Sequence, residues 1–174
     1  MFEGKYLNGQ RNGKGKEYNI NGSFEGIYLD GQRNGKGKEY NNDGKLIFQG
    51  EYLYGERNGH GTEYKNDYLV FDGEYLNGQK NGKGREYDCE NDLIFEGEYL
   101  NGKRNGLGKE YINTELVFEG EYSNGQRHGK GKEYENGKLI YEGEYLDGKK
   151  NGIGKEYENG KLIYEGEYLD GYQI

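Results

Sequence analysis

The sequence contains no proline and no tryptophan, and it has only two histidines and one cysteine among 174 residues. The single cysteine, Cys89, rules out an intramolecular disulfide framework and a cysteine-based zinc site. Without proline, no backbone amide is lost from a β-ladder. No apolar run reaches the length of a membrane span, and neither the basic start nor the apolar stretch of a signal peptide is present. We therefore expect an intracellular, cytoplasmic protein.

Aliphatic residues are also scarce. Only 30% of the residues are hydrophobic, whereas 32% are charged, and the formal net charge is -8. Such a composition alone is typical of disorder, but 15% of the residues are aromatic and the 34 glycines recur at regular intervals. The chain therefore has the material for a thin, repeating core rather than one large globular core. The excess of 32 acidic over 24 basic residues argues against nucleic acid as a partner.

One motif, Phe/Tyr-x-Gly-x-Tyr, recurs along the whole chain at intervals of 22 to 24 residues. We number each repeat from its first aromatic residue, position 0. Glycine occupies +2 and +7, and tyrosine +4, in all eight copies; glycine at +11 and +13 and tyrosine at +16 occur in all seven copies that reach them. A fixed period of this length predicts an array of small structural repeats in one domain, residues 1–174. The repeats begin at residues 2, 24, 48, 71, 95, 118 and 141, and a partial one begins at 164.

The seventh repeat illustrates the predicted structure. Residues 138–146 alternate and are rich in β-branched and aromatic side chains, so they predict a strand. Residues 147–152 contain two glycines and predict a turn, residues 154–157 predict a second, shorter strand, and Asn159-Gly160 predicts a tight turn into the next repeat. The sequence therefore predicts an all-β fold, an elongated single-layer antiparallel β-meander built from tandem hairpins of about 23 residues.

Positions 0, +2 and +4 share one face of the first strand, because side chains alternate along a strand. A ring, a glycine and a tyrosine on that face form two ridges and a gap, and a neighbouring ring can lie flat against the backbone in the gap. We expect this face to hold the core. The opposite face has Glu or Asp at +1 and Glu at +3 in most repeats, flanked by aliphatic residues at −1 and +5, so we expect it to be mostly solvated.

The segment Tyr141-Glu-Gly143-Glu-Tyr145-Leu-Asp-Gly148-Lys-Lys-Asn-Gly152-Ile-Gly154 resembles the MORN repeat (membrane occupation and recognition nexus). The resemblance covers residues 2 to about 171; it departs from the family in having no tryptophan at +4, where that residue is frequent. It implies an elongated single-layer β-meander. It also implies a scaffold that binds partner peptides along the sheet, self-associates end to end, or lies near membranes and the cytoskeleton.

The aromatic stripe is the first candidate for a binding site. A one-layer sheet leaves one side of its aromatic ridge uncovered, and exposed apolar surface usually marks an interaction site. We therefore expect a groove that takes an extended or helical partner segment, in preference to the alternative that the rings only pack on one another. The residues of this predicted groove are Tyr52, Tyr75, Tyr99, Tyr122, Tyr145, Phe71, Phe95 and Phe118.

A row of cations at +9 is the second candidate. Contacts with anionic lipid headgroups would make the chain a peripheral membrane-associated module, which is the alternative function. We favour the other interpretation, in which these are solvated loop cations paired with the glutamate at +15, because headgroup attraction has to overcome the net charge of -8. The candidate lipid-binding residues, placed on a basic hairpin edge, are Arg33, Arg57, Lys80, Arg104, Arg127 and Lys150.

The last predicted strand, residues 162–169, would present free backbone groups at an edge of the sheet. Residues 158–170 repeat residues 135–147 without a difference. Pairing of two such edges would give a homodimer; the alternative is that the chain is a fragment of a longer array. The candidate self-association residues are Leu162, Ile163, Tyr164 and Tyr168.

The sequence offers no arrangement for catalysis. The two histidines, His60 and His128, occupy different repeat positions, and there is no Ser/His/Asp or Cys/His set and no phosphate-binding loop. Acidic side chains spaced regularly on a flat strand diverge, whereas calcium ligands must converge. We expect no enzymatic activity, no cofactor and no metal site, and we expect a binding scaffold for a protein or peptide partner.

Overall fold

A computed structural model describes residues 1–174. All of its regular elements are β-strands. It contains no helix that is long and apolar enough to cross a membrane. The chain divides into two compact units, which we call the N-terminal unit (Met1–Asn91) and the C-terminal unit (Asp92–Ile174).

In each unit the strands follow one another in chain order, and each pairs with the next in antiparallel orientation. The N-terminal unit contains β1 (Phe2–Leu7), β2 (Gln10–Asn19), β3 (Gly22–Leu29), β4 (Gln32–Tyr40), β5 (Leu46–Leu53), β6 (Glu56–Lys65), β7 (Tyr68–Leu76) and β8 (Gln79–Tyr87). The C-terminal unit contains β9 (Leu93–Leu100), β10 (Lys103–Ile112), β11 (Glu115–Ser123), β12 (Gln126–Glu135), β13 (Lys138–Leu146), β14 (Lys149–Glu158), β15 (Lys161–Leu169) and β16 (Tyr172–Gln173). The all-β class and the single-layer meander of hairpins are confirmed.

The turn within each repeat is shorter than the sequence predicts. In the seventh repeat only Asp147 and Gly148 lie outside the strands, and both have positive φ, 49° and 86°. Two such residues make the tight hairpin turn whose twist matches that of the flanking strands. The second strand therefore begins at Lys149 instead of Gly154, and position +9 belongs to a strand.

The pair at +10 and +11, which is Asn-Gly in six repeats and His128-Gly129 in the sixth, forms a bulge inside the strand rather than a turn. Between Gly120 and Tyr122 the pairing register with β12 shifts, and Gly129 has a φ of 64°. The side chain of Glu121 folds over this glycine and accepts a hydrogen bond from the amide of Lys130 at 3.2 Å. A Cβ on Gly129 would lie 2.6 Å from Oε2 of Glu121, a mobile side-chain end, so the bulge favours glycine mainly for its positive φ.

Hydrogen bonds also tie the turns of successive repeats together within each unit. The amide of the glycine at +7 donates to the carbonyl oxygen of residue +9 in the preceding repeat. Gly55 donates to Arg33 and Gly148 to Arg127 in this way, both at 2.9 Å. The turns are therefore continued into the hydrogen-bonded sheet, and the residues beside them are held in fixed positions.

The core lies on the face that carries positions 0, +2 and +4, here called the core face. Phe95 at position 0 is fully buried and lies flat over two glycines of its own hairpin; a Cβ on Gly97 or Gly108 would lie 2.7 or 2.5 Å from its Cζ. Tyr99 in the same repeat and Tyr122 in the next one pack edge-on against this ring, with centroids 5.7 and 5.3 Å away. The predicted core face is confirmed, but the ring that fills the gap belongs to the repeat itself and not to a neighbour.

The close approach of ring and backbone makes a direct prediction for Gly120. A Cβ there would lie 2.7 Å from the Cζ of Phe118, the Cα of Gly131 and the carbonyl oxygen of Lys130. Since two of these atoms are backbone and the ring is packed on all sides, we expect Gly120→Ala to lower the free energy of unfolding by about 3 kcal/mol. Denaturant unfolding followed by circular dichroism measures this loss.

Gly137 provides the matched control. It has a φ of 72°, and nothing lies within 4 Å of a Cβ added there. Gly137→Asn should change stability by less than about 1 kcal/mol, because asparagine tolerates this backbone region. Equal losses for Gly120→Ala and Gly137→Asn would contradict the packing described.

Candidate binding surfaces

The open side of the position-0 ring is closed by the cation at +9 in the seven repeats that have one. Residue +9 pairs directly with the tyrosine at +4, as Arg127 does with Tyr122, so its side chain lies on the core face. The guanidinium carbon of Arg127 lies 4.0 Å from the centroid of Phe118, and Nζ of Lys150 lies 4.0 Å from that of Tyr141. Such a contact contributes about 0.5 to 1 kcal/mol, and the alkyl stem of the cation keeps water from the ring.

The cations at +9 alternate with the glutamates at +15 in a continuous row of ion pairs within each unit, here called the charged ladder. Arg57 contacts Glu39 of the preceding repeat at 2.6 Å and Glu63 of its own repeat at 2.9 Å. Lys150 contacts Glu133 at 3.3 Å and Glu156 at 3.7 Å in the same manner. Each repeat is thereby joined to the one before it by charge as well as by ring packing.

Several tyrosine hydroxyls at +4, among them those of Tyr28, Tyr52 and Tyr122, donate hydrogen bonds to glutamates of the ladder. Tyr122 donates a hydrogen bond to Glu110 at 2.7 Å. Burial tends to raise the pKa of Glu110, but hydrogen bonds from Arg127 and Tyr122, together with the positive charge of Arg127, outweigh burial and lower it. Burial and the Glu110 carboxylate raise the pKa of Tyr122. Where this bond forms, the tyrosine hydroxyl gives a half-buried carboxylate a hydrogen-bond donor.

The same arrangement occurs in the N-terminal unit. Tyr52 donates to Glu39 at 2.8 Å, and Arg57 with Tyr52 lowers the pKa of Glu39 against the opposing effect of burial. Burial and the neighbouring Glu17 raise the pKa of Tyr28 to about 12. These hydroxyls are neutral donors over the whole physiological pH range.

The predicted aromatic groove needs a correction, because its rings are not exposed. Each of the eight residues is at most 4% exposed, since glycine backbone lies below the position-0 ring, the +9 cation lies above it, and tyrosine edges flank it. The expectation that one side of the ridge stays uncovered is wrong. The residues concerned are Tyr52, Tyr75, Tyr99, Tyr122, Tyr145, Phe71, Phe95 and Phe118.

The predicted basic hairpin edge is also corrected. The six +9 cations lie within strands on the core face and are only 23 or 24% exposed, so they are neither at a turn nor free in solvent. Pairing with the glutamates at +15 is confirmed where these ion pairs form. The placement was wrong because the predicted turn extended four residues too far into the second strand. The residues are Arg33, Arg57, Lys80, Arg104, Arg127 and Lys150.

The predicted self-association edge is partly covered. β15 pairs with β14 on one side, and β16 pairs with Tyr168 and Leu169 on the other. Tyr168 is 3% exposed and Tyr164 is half-buried, so neither lies at an open edge; Leu162 and Ile163 are 50% and 58% exposed. The homodimer stays a prediction.

The opposite side of the sheet, here called the outer face, carries positions +1, +3, +5, +12, +14 and +16. Tyrosines at +16 lie half-buried there, and Tyr134 and Tyr157 donate to Glu119 and Glu142 of their own repeats at 2.7 Å. Burial and the bond to Glu119 raise the pKa of Tyr134 to about 12. The outer face thus has its own layer of ordered polar contacts.

A leucine at +5 stands exposed on the outer face in seven of eight repeats, and we call this set the leucine row. These leucines are 41 to 59% exposed beside turns that are tied into the sheet. Ser123 interrupts the row in the C-terminal unit. The members are Leu7, Leu29, Leu53 and Leu76 in the N-terminal unit and Leu100, Leu146 and Leu169 in the C-terminal unit.

Sequence reasoning noted these aliphatic residues only as flanks of a solvated face. The signal that could have identified the leucine row is its recurrence opposite a core that already fills the other face. Close to Leu146, a hollow of about 400 Å³ is lined by residues that include Glu121, His128, Lys130 and Glu144. No group of three or more His, Cys, Asp or Glu side chains comes together in a way that could hold a metal ion.

This geometry defines a class of protein, a tandem β-hairpin repeat in which each hairpin closes its own ring under a cation. The family model described as the MORN repeat matches seven segments, and each match begins at a position-0 aromatic. The matched residues are 2–23, 24–45, 48–70, 71–92, 95–114, 118–138 and 141–161. The chain therefore belongs to the MORN repeat family.

MORN repeats are a non-catalytic type of repeat that generally mediates protein or membrane interactions. A comparison with curated proteins finds no match. Family membership therefore indicates a class of function, interaction with a protein or a membrane. The binding surface and the kind of partner have to be inferred from the residues of this chain.

The charged ladder predicts a large effect of losing one cation. Arg127→Ala would leave Glu110 and Glu133 without their shared partner and would uncover the face of Phe118. We expect the free energy of unfolding to fall by about 2 to 3 kcal/mol, less than for a fully buried pair because the side chains are partly exposed. Thermal and denaturant unfolding of the intact chain measure it.

Two controls define the result. Arg127→Lys should lose clearly less, because Lys80 and Lys150 fill the same slot in other repeats. Lys45→Ala removes an exposed ion pair with Asp67 and should leave the unfolding midpoint almost unchanged. An Arg127→Ala variant as stable as the Lys45→Ala variant would show that the ladder is only surface charge.

Proposed function

We propose that this chain is a non-enzymatic scaffold that binds a segment of a partner protein on the outer face of its sheet, along the leucine row. The observation that supports this proposal is a regularly spaced set of apolar side chains, 41 to 59% exposed, on a face opposite the core. Scattered surface leucines are ordinary, but a periodic row on one face is typical of an interaction surface.

Rigidity supports the same proposal. The leucines lie at the ends of paired strands and next to turns that donate hydrogen bonds into the preceding repeat, as Gly55 and Gly148 do. The leucine row is therefore preorganised for binding, and this chain would lose little conformational entropy when a partner binds.

The core face is a weaker position for a partner segment. Apart from Tyr6 in the first repeat, its rings are closed off from solvent, and the surface above them consists of ion pairs such as Arg57 with Glu39 and Glu63, which already satisfy one another. A partner laid there would have to replace or desolvate paired charges, which gains little. We therefore keep the binding function that the sequence predicts, but we assign it to the outer face and not to the core face.

Membrane association has less support than protein binding. The +9 cations, which the lipid hypothesis needs, are neutralised by the glutamates at +15. On the outer face, 13 of the 16 residues at +1 and +3 are Glu or Asp, and carboxylates repel anionic headgroups. The intracellular, cytoplasmic location stays a prediction from the sequence.

Quantitative affinity capture tests the proposal. The intact chain and a variant with Leu29→Ser, Leu53→Ser, Leu100→Ser and Leu146→Ser are used as bait in an extract of cells that express the protein. Serine already occupies this slot as Ser123, so the variant should fold. We expect the proteins captured by the native chain to fall at least fivefold, because each serine removes apolar contact area.

The matched control changes the core face instead. Arg57→Lys with Arg127→Lys keeps the charges and should retain the captured proteins. Loss with this control and retention with the serine variant would return the binding site to the core face. Retention with both variants would contradict a sheet-face scaffold. Co-sedimentation of the native chain with vesicles that contain a phosphoinositide would favour the membrane function instead.

A further inference from the structure

We infer that the outer face of the C-terminal unit binds a basic amphipathic helix of a partner protein, an inference that rests on the proposed function and specifies its partner. The first observation is that this unit exposes more apolar surface at its bulges. At +12, Leu107 and Ile153 are 63% and 51% exposed, whereas the N-terminal unit has Lys14, Lys36, His60 and Lys83 in the same slot.

These residues extend the leucine row into two apolar clusters. Leu107 opposes Glu98, two residues from Leu100 in the adjacent strand. Ile153 pairs directly with Glu167, two residues from Leu169. Diagonal neighbours in a sheet lie about 7 to 8 Å apart, within reach of branched side chains.

The C-terminal unit also differs from the N-terminal unit in its net charge. The C-terminal unit has 17 acidic and 11 basic residues, a net charge of −6, whereas the N-terminal unit has 15 and 13, a net charge of −2. The three ladder cations of the C-terminal unit are balanced by the three ladder glutamates, so its whole excess lies on the outer face and in the turns. At +3, beside the leucine row, the C-terminal unit has only glutamate, at Glu98, Glu121, Glu144 and Glu167.

The hollow next to Leu146 fits a basic side chain. Glu121 and Glu144 both line it, and Lys130 is the one cation there. Glu121 accepts a hydrogen bond from the amide of Lys130 through Oε1. A lysine or arginine from the partner would meet carboxylates on two sides while its neighbours pack on the leucine row.

The backbone argument favours a helix over an extended segment. The strands below the outer face bond to each other, so this face offers no ladder of donors and acceptors. An extended segment would leave its own backbone groups unpaired, whereas a helix satisfies them internally.

The spacing of the clusters agrees with a helix. Leu107 in the first cluster and Ile153 in the second lie two repeats apart, about 19 Å at four strand spacings. Residues fourteen apart on one helix face are separated by about 21 Å. The interval between the clusters contains Ser123 and Lys130 in place of apolar residues, so basic side chains near the middle of the helix would face Glu121 and Glu144.

The test uses a defined probe and the intact chain. A fluorescently labelled amphipathic peptide of about eighteen residues, with leucines at helical spacing and lysines elsewhere, is titrated in fluorescence anisotropy. Its partner peptide has glutamate in place of every lysine. We expect the basic peptide to bind at least tenfold more tightly than the acidic one, and its affinity to fall several-fold as salt is raised.

Two variants of equal chemistry locate the site. Leu107→Ser with Leu146→Ser and Ile153→Ser should weaken binding of the basic peptide at least tenfold. Leu29→Ser with Leu53→Ser and Leu76→Ser makes the same change in the N-terminal unit without altering charge, and it should leave binding unchanged. Glu144→Gln with Glu167→Gln should reduce the dependence on salt.

The outcomes separate this inference from the broader proposal. Equal weakening by both serine variants, or equal binding of the two peptides, overturns the assignment to the C-terminal unit. If the leucine-to-serine variant loses captured proteins but the basic peptide does not bind, the scaffold proposal stands and the inference of a basic helix is overturned. Peptide binding that depends on Leu146 supports the helix site even where capture fails.

Discussion

The structure depends on one enclosed aromatic ring per repeat. Phe118 illustrates it: glycine backbone below, Arg127 above, Tyr122 and Tyr145 edge-on at the sides. Burial of such a ring stabilises the fold by about 2 to 3 kcal/mol, and each edge contact adds about 0.5 to 1.5 kcal/mol. Because one tyrosine and one glutamate contact come from neighbouring repeats, no repeat closes its core alone. This explains how a sheet with few aliphatic residues and no second layer remains folded.

Closing the core on one face decides where function can lie. The ladder above the rings pairs its charges internally, so the core face presents no free ladder cations and, apart from Tyr6 in the first repeat, no widely exposed ring. The outer face carries the net charge and the leucine row, and the leucines at +5 have no role in the core. Under the proposed function, the two faces of the same hairpin separate stability from binding. Variation at exposed slots such as +5 and +12, where Ser123 replaces leucine and Ile153 replaces lysine, leaves the enclosed ring unchanged.

The repeat, its period, the hairpins and the core face could be predicted from the sequence, because glycine and aromatic spacing determine them directly. Two features could not. The residue pair at +10 and +11 looks like a turn in the sequence, and only the pairing register and the Glu121 side chain over His128-Gly129 show that it is a bulge. Because the bulge lies inside the strand, the second strand is longer than predicted and includes Arg127. Alternation along this longer strand places Arg127 on the core face, over the ring of Phe118, and not in a solvated loop. The exposure of a ring such as Phe95 was also wrongly predicted, because periodicity does not reveal that a long cation in the paired strand can cover it.

Tyrosine ionisation tests the enclosed core most directly. Burial and a neighbouring glutamate raise the pKa of Tyr28 to about 12 and raise those of Tyr52 and Tyr122 above their usual 10. A raised pKa favours the neutral hydroxyl in the folded state, so this stabilisation is complete below about pH 10 and is lost as pH rises through the folded pKa. In an ultraviolet titration of the native chain, we predict that buried tyrosines such as Tyr28, Tyr52 and Tyr122 do not ionise near pH 10 and that they ionise together when the chain unfolds at higher pH. Native and denatured titration curves that superimpose near pH 10 would contradict the account.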